Sequence, residues 1–234
     1  MNLLITICAR KGSKGIKNKN LIKINKKSLI NITLTQALNI SKNFFVVVSS
    51  DYKSLNQKLP KLNNLYFLKR DKKLAKDNIG KLDVIIDASE KAEIYFKKKF
   101  DYVMDLDVTS PLRSIKDLKN CLGYIKKNKF QNLITLIPAS KNPYFNMVEI
   151  KNKNLSLVKM NKNKNFLTRQ SSPKVYEMNA SIYLWKKESL LNKDLITVKT
   201  NYYVMPEYSI DIDSEYDLLF IRSVINKINF KYGF

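Results

Sequence analysis

Leu3-Leu4-Ile5-Thr6-Ile7-Cys8-Ala9-Arg10-Lys11-Gly12-Ser13-Lys14-Gly15-Ile16-Lys17-Asn18-Lys19-Asn20 is the stretch whose reading decides the fold. Its first half, through Ala9, is a short apolar run with β-branched residues, the composition of a buried strand. Its second half holds two of the chain's five glycines, Gly12 and Gly15, among Arg10, Lys11, Lys14, Lys17 and Lys19. Glycine lets a backbone turn sharply and lets a ligand reach the backbone N–H groups. A strand that feeds such a loop ahead of an amphipathic helix is how α/β proteins cradle a nucleoside triphosphate. Taken alone, the segment also fits a lysine-rich surface turn.

The alternation continues outward. Strands are expected at 3–9, 44–49, 65–68, 102–106, 132–137, 177–185 and 202–205, with helical periods clearest at 30–40, 82–96, 115–127 and 214–228. That order predicts an α/β chain, a mostly parallel sheet with helices on both faces and ligands at the strands' carboxyl ends. Ser114 with Asp117, and Asp213-Ser214-Glu215, have the pattern of capped helix starts. One stretch, about 142–175, breaks the alternation with Pro143, Pro173 and two Asn/Lys clusters. Lys151-Asn152-Lys153-Asn154 within it reads as a hairpin turn. The stretch is expected to project from a single domain, 1–234, as a packed arm and an oligomer contact. A loose surface excursion is the alternative.

Composition narrows the function. The formal charge is +23, but the lysines are scattered and form no compact basic helix interleaved with aromatics. Nucleic acid is therefore not expected as a partner, although such a field draws in a polyanionic substrate. No run approaches the ~18 apolar residues that a membrane span needs, so membrane insertion is not expected. Cys8 and Cys121 lack metal-ligand spacing and are expected to be buried thiols of a cytoplasmic protein. The chain has no histidine, which removes histidine triads, histidine general bases and histidine metal sites.

Three further segments carry chemistry. Asp105-Leu106-Asp107-Val108-Thr109-Ser110-Pro111-Leu112-Arg113 follows a strand, and Arg113 has the planar fork that holds a carboxylate or phosphate. An ordinary strand-to-helix turn is the alternative. Thr168-Arg169-Gln170-Ser171-Ser172-Pro173-Lys174 supplies cations ahead of Asn179, whose amide can read a sugar hydroxyl. In Ser209-Ile210-Asp211-Ile212-Asp213, an extended backbone points Asp211 and Asp213 to one side, a hard-oxygen pair suited to Mg²⁺. Alternatively Asp213 caps the last helix and Asp211 is solvated. The glycine loop in the same chain favours the metal.

Taken in order, these segments resemble the CMP-sialic acid (N-acylneuraminate) synthetases, the cytidylyltransferases that make CMP-activated acidic sugars. That family's Ala-Arg-x-x-Ser-Lys-Gly and Lys-Asn stand as Ala9 to Gly15 and Lys19-Asn20. Its Thr-Ser-Pro-Leu-Arg is Thr109 to Arg113, and its Arg-Gln with a following Pro is Arg169-Gln170 and Pro173. Its Asn-Gly-Ala-Ile-Tyr is Asn179 to Tyr183, and its Asp-Ile-Asp is Asp211 to Asp213.

The resemblance implies a Rossmann-like three-layer nucleotidyltransferase fold with a dimerisation arm and a homodimer. It also implies CTP, an acidic nine-carbon 2-keto sugar and Mg²⁺. By resemblance, Ala9, Arg10, Gly12, Ser13, Lys14, Gly15 and Asn20 hold the nucleotide. Arg10, Lys19 and Asp211 act in catalysis, and Asp211 and Asp213 bind the metal. Asp107, Thr109, Ser110, Arg113, Arg169, Gln170 and Asn179 face the sugar. Base selectivity is expected mostly in backbone contacts near 75–80.

Two positions depart from the family's pattern. Its Gln-Pro is Asp107-Val108 here, and the Gly of Asn-Gly-Ala is Ala180. An aspartate beside a sugar carboxylate repels it unless a cation intervenes, so the exchange points away from N-acetylneuraminic acid. Legionaminic and pseudaminic acids are open. The rival readings are a sister nucleotidyltransferase, acting on 3-deoxy-octulosonate or a sugar 1-phosphate or using another triphosphate, and a non-catalytic binding protein.

Overall fold

Strand β1 (Leu3–Ala9) runs through the middle of a seven-stranded sheet, because its side chains are apolar on both faces. Leu3, Ile5 and Ile7 pack on one side with Leu29 and Ile30 of α1 (Leu29–Ile40) and Leu118 of α3 (Ile115–Gly123). Leu4 packs on the other with Ala88 and Ala92 of α2 (Lys81–Phe96). The sheet is thus the middle of three layers. The computed structural model describes residues 1–12, 15–127, 130–160, 166–206, 208–225 and 227.

The remaining strands of the sheet are β4 (Phe45–Ser50), β5 (Leu65–Lys69), β6 (Tyr102–Leu106), β7 (Asn132–Pro138), β10 (Tyr176–Lys186) and β11 (Thr200–Val204). Their order is β11-β7-β10-β6-β1-β4-β5. Only β10 runs against its neighbours; every other pair in the sheet is parallel. The fold expected from the alternation is therefore the fold observed. Helix α4 (Lys187–Leu191) follows β10, and α5 (Glu215–Ile225) closes the described chain. The helical period read to residue 127 ends instead at Gly123 and tightens into a 3₁₀ turn, Tyr124–Lys126.

One local expectation is corrected. No helix directly follows the glycine loop. A 3₁₀ turn, Lys19–Leu21, comes first, then a small hairpin of β2 (Lys23–Ile24) and β3 (Lys27–Ser28). Asn25 and Lys26 turn that hairpin with φ of 46° and 69°, the left-handed pair that a two-residue connection requires. Any cradle is thus built by the loop's own backbone.

Within 142–175, β8 (Val148–Lys151) and β9 (Asn154–Leu157) form the expected hairpin, turning at Asn152 and Lys153. Its base is tied by buried Asn142, whose Nδ2 donates to the Pro173 carbonyl at 2.9 Å and whose Oδ1 accepts from the Tyr144 N–H at 2.9 Å. Beyond this base Ile150, Leu155, Met160 and Leu167 are exposed apolar side chains. Residues 161–165 of this stretch lie outside the described set.

Strand β10 changes register against β7 between Met178 and Tyr183, and Ala180 in that bulge has φ 50°. This is the place where the related motif carries glycine. A left-handed alanine is strained by roughly 1–2 kcal/mol. Ala180→Gly is expected to relieve that strain, less the extra entropy of an unfolded glycine, raising stability by about 1 kcal/mol or slightly less. Urea denaturation checks this, and a variant less stable than the parent sinks the argument.

Candidate active site

The strand order reverses between β1 and β6, and open α/β sheets bind ligands at the carboxyl ends of strands flanking such a point. There, β1 delivers Ala9 and Arg10 while β6 delivers Asp107. A cavity of about 230 Å³ opens between them, lined by Cys8, Arg10, Arg70, Asp77, Lys81 and Asp107. Arg10 pairs with Asp77. Arg70 is buried and donates from Nε to Ser49 Oγ at 3.2 Å and from Nη2 to the Ser49 carbonyl at 2.8 Å.

The loop after β1 is folded back on the strand ends. Asn20 is buried and its Nδ2 donates to the Arg10 carbonyl at 2.9 Å, while the Lys11 N–H donates to Asp51 Oδ1 at 2.7 Å. Gly15 is required for a close approach. A Cβ there would stand 2.3 Å from the Asp213 carbonyl oxygen, so any side chain would push the loop off the Asp211–Asp213 segment. Nothing lies within 4 Å of a Cβ built on Gly12. Ser13 and Lys14 lie outside the described residues.

At the far side of that contact, Ile212 is fully buried, so Asp211 and Asp213 face the other way, as an extended backbone requires. Helix capping does not consume Asp213. Ser214 Oγ accepts from the Asp217 N–H at 3.3 Å, and Asp217 Oδ2 accepts from the Ser214 and Asp213 N–H groups at 2.7 and 3.0 Å. The Asp213 carboxylate instead takes the Lys19 ammonium at 2.9 Å. Nor is Asp211 freely solvated: its Oδ1 is buried without a hydrogen-bond partner. Burial pushes its carboxyl up to about 6; the Asp107 and Asp213 charges add to this, and the Thr109 hydroxyl and Lys19 oppose it.

An orphaned, buried carboxylate oxygen beside a second carboxylate is a donor set that fits Mg²⁺, which takes one or two carboxylates and completes its shell with phosphate and water. Among the described residues there is no cluster of three or more acidic, cysteine or histidine ligands, so the protein alone offers a partial shell.

Lys81, in the first turn of α2, reaches across the cavity. Its Nζ lies 2.6 Å from Asp107 Oδ2 and 3.0 Å from Asp105 Oδ2, and 4.9 Å from the centre of the Tyr183 ring. Burial pushes Asp107 up, but the Lys81 charge and hydrogen bond, with the N–H and hydroxyl of Thr109, outweigh it and hold the carboxyl well below its usual range. Burial likewise pulls Lys81 down, and the Asp105 and Asp107 charges more than reverse it.

Several residues expected at the sugar face inward. Arg113 is fully buried and its guanidinium is engaged on every side. It donates to Gln36 Oε1 at 2.9 Å, Thr33 Oγ1 at 3.0 Å, the Ser181 carbonyl and the Asp107 carbonyl. Nη1 also approaches Ser181 Oγ at 3.5 Å, so all three guanidinium nitrogens are directed at acceptors within the protein and not, as expected, at a sugar acid. Ser110 is also fully buried, and Thr109, nearly so, caps the Asp107 carboxylate. Asn179 is buried with its Oδ1 accepting from Thr135 Oγ1 at 2.7 Å and its Nδ2 donating to the Ser209 carbonyl at 2.8 Å. None of these four side chains is among those that line the cavity.

Arg169 and Gln170 line a different hollow of about 610 Å³ at the end of β7, with Pro138, Ala139 and Asn142. Arg169 also lines one of about 520 Å³ with Tyr208 and Ile210, which lead into Asp211. A cleft of about 780 Å³ with Lys97, Lys99, Lys186 and Lys187 in its wall lies at the opposite end of the strands, where β6 begins. That is the end from which parallel sheets do not take ligands.

Sequence reasoning had passed over Lys81, Arg70 and Asp77. Asp77 falls in the 75–80 segment singled out for the base, and a lysine opposing the helix dipole in a first turn was a signal for Lys81.

With this geometry in place, the comparisons are direct. A family model described as cytidylyltransferase matches residues 4–228. The chain is 44% identical over 97% of its length, and 96% of the relative's, to CMP-N,N'-diacetyllegionaminic acid synthase of Campylobacter jejuni. It is 41% identical, with the same coverage, to post-translational flagellin modification protein B of Campylobacter coli. The solved structure of CMP:2-keto-3-deoxy-manno-octonic acid synthetase complexed with CTP aligns over 97% of this chain and 99% of that one, with a TM-score of 0.68 at 15% identity, a likeness of fold. The chain belongs to the cytidylyltransferase family.

Two outcomes follow from the buried charges. Because the Asp211 carboxyl is raised in the folded state, its ionisation removes stability as pH climbs from about 4 to 6, and that loss persists at neutral pH. Metal-free Asp211→Asn is therefore expected to be more stable than the parent at pH 7 by roughly 1–3 kcal/mol, with the gap closing towards pH 4. Guanidinium unfolding across that range tests the sign, and a variant less stable at pH 7 contradicts it. Arg113→Lys cannot satisfy four separated acceptors and is expected to cost about 3–5 kcal/mol, or on the order of 10 °C in Tm. A variant with unchanged Tm would return Arg113 to the ligand side.

Proposed function

We propose that this chain transfers CMP from CTP to the anomeric hydroxyl of an acidic nine-carbon 2-keto sugar and releases pyrophosphate. The acceptor we assign is an N,N'-diacetyllegionaminic-type acid. One observation carries the reading: the glycine loop and the Asp211–Asp213 segment meet at Gly15, which brings phosphate-binding backbone and cations against a pair of carboxylates. Membership of the cytidylyltransferase family and the 44% identity to a legionaminic acid synthase support it.

In this mechanism positioning and electrostatics supply most of the catalysis, since the developing charge sits on phosphoryl oxygens. Lys19 and Arg10 turn from their carboxylate partners to the triphosphate, joined by Ser13, Lys14 and the loop N–H groups. The segment carrying Asp77 and Ile79 walls the cavity for the base. Asp211, with its free Oδ1, and Asp213 would hold Mg²⁺, which when bound polarises the α-phosphate and lowers the pKa of a neighbouring hydroxyl. Arg169 approaches the acceptor from the hollow beside the segment leading to Asp211, and Gln170 from the one at the end of β7.

We read 1–234 as one catalytic domain whose arm, about 142–175, pairs two copies through its exposed Ile150, Leu155 and Met160. The free Cys8 and Cys121 suit the reducing cytoplasm, where CTP is supplied. No helix among the described residues is long and apolar enough to cross a membrane.

Pyrophosphate release with Mg²⁺, each of the four common nucleoside triphosphates and a panel of nonulosonic acids tests the reading. Release is expected with CTP and N,N'-diacetyllegionaminic acid. Release with another triphosphate, or with a sugar 1-phosphate in place of the acids, would move the chain to a sister activity.

A further inference from the structure

The ion pair between Lys81 and Asp107 lies in the wall of the cavity that Arg10 and Asp77 also line, and neither member of the pair has a role in the mechanism above. The main chain of Asp107 is held from both sides: its N–H donates to the Ser181 carbonyl at 3.2 Å, and its own carbonyl accepts from Arg113. Only the side-chain torsion is left to fix. Thr109 fixes one carboxylate oxygen, donating to Oδ1 from its N–H at 3.0 Å and from its hydroxyl at 2.8 Å. Lys81 fixes the other, at 2.6 Å from Oδ2.

A carboxylate offers about four acceptor positions, so three are filled by the protein and one, on Oδ2, is open. The side chain is one-fifth exposed, in the wall of the cavity between β1 and β6. Lys81 is itself anchored a second time by Asp105, whose other oxygen accepts from Thr6 Oγ1 at 2.7 Å deep in the sheet. A lysine in the first turn of a helix works against the helix dipole, so the placement of this one is set by the carboxylates it serves.

We propose that Lys81 is a positioning residue for acceptor specificity, holding Asp107 so that its one open acceptor position takes a single N–H or O–H donor of the sugar. This deepens the reaction proposed above and rests on it. A carboxylate cannot donate, so a sugar group presented there must carry a hydrogen, and the acid group of the sugar is turned elsewhere. An amide at the same place, as in the related motif, offers a donor as well as an acceptor and does not impose that choice.

The test compares the parent with Lys81→Met, Asp107→Asn and the double variant, using CTP, Mg²⁺ and N,N'-diacetyllegionaminic acid, with KM for each substrate, kcat and Tm recorded. Lys81→Met leaves Asp105 and Asp107 without their counter-ion, so its Tm falls. The double variant removes the unpaired charge at Asp107 but still leaves buried Asp105 without its counter-ion, so it regains only part of that Tm. The acceptor KM is expected to rise about tenfold in Lys81→Met and to stay raised in the double variant, the effect of one lost charge-assisted contact. KM for CTP is expected to stay within about twofold, as it should if Lys81 acts on the acceptor side.

Recovery of the acceptor KM along with Tm in the double variant would make the pair purely structural and overturn the inference. A parallel rise in KM for CTP would do the same. If the parent itself shows no turnover with any nonulosonic acid, the reaction assigned above falls, and this inference with it.

Discussion

A guanidinium without access to water must find acceptors for its donors inside the protein, and Arg113 finds them on helix α1 and at the adjoining ends of β6 and β10. Thr33 and Gln36 come from α1, the Asp107 carbonyl from the end of β6, and the Ser181 carbonyl from the bulge of β10. Gln36 completes the clamp by donating from Nε2 to the Pro111 and Arg113 carbonyls at 2.9 and 3.0 Å, so the turn after β6 is held through its backbone. Burial lowers the guanidinium to about 10, countered by the Asp107, Asp105 and Asp211 charges, and it stays charged at neutral pH. The position of Asp107 at the cavity wall is a consequence of this clamp. So is the irregular course of β10, which needs Ala180 in a left-handed conformation to present Ser181 to the arginine.

The second constraint joins the two ends of the chain. Gly15 leaves room for the Asp213 carbonyl, and Lys19 reaches Asp213 across 194 residues of sequence. A buried, unpartnered Asp211 oxygen next to this junction is unfavourable for the empty protein. The cation and polyphosphate of the function proposed would complete the arrangement, the usual relation between local instability and a binding site.

What was legible in the sequence followed from local signals. The alternation of apolar runs gave the layers, Ser114 with Asp117 gave a capping box, and Asn152-Lys153 gave the arm's turn. Asp211 and Asp213 were readable because a period of two around Ile212 is a backbone property. What failed was direction. An arginine after a strand looks the same in sequence whether it points at a ligand or into the core, and for Arg113 the answer lies in Gln36, 77 residues away. Lys81 carried only the weak signal of a lysine in a first turn, because its place is defined by Asp105 and Asp107. The cap of α5 falls on Ser214, within the Asp213-Ser214-Glu215 start that the pattern marked, and that leaves the Asp213 carboxylate facing Lys19.

The strengths of the ion pairs sort the cations by role. Arg10 with Asp77, and Lys19 with Asp213, each involve a carboxylate that is about half exposed or more, and pairs of that kind contribute about 0–1 kcal/mol. A triphosphate carrying several negative charges can take such cations from their partners at little cost, and the overall charge of +23 favours its approach. Lys81 stands differently, bound to two carboxylates of which Asp105 is almost wholly buried, and removing an ammonium from such a pair leaves uncompensated charge in the interior. In the function proposed, the cations that are free to change partners serve the nucleotide, and the one that is not holds a carboxylate still. That division would let a strongly basic chain bind a polyanion at one wall of the cavity while keeping a fixed anionic acceptor at the other.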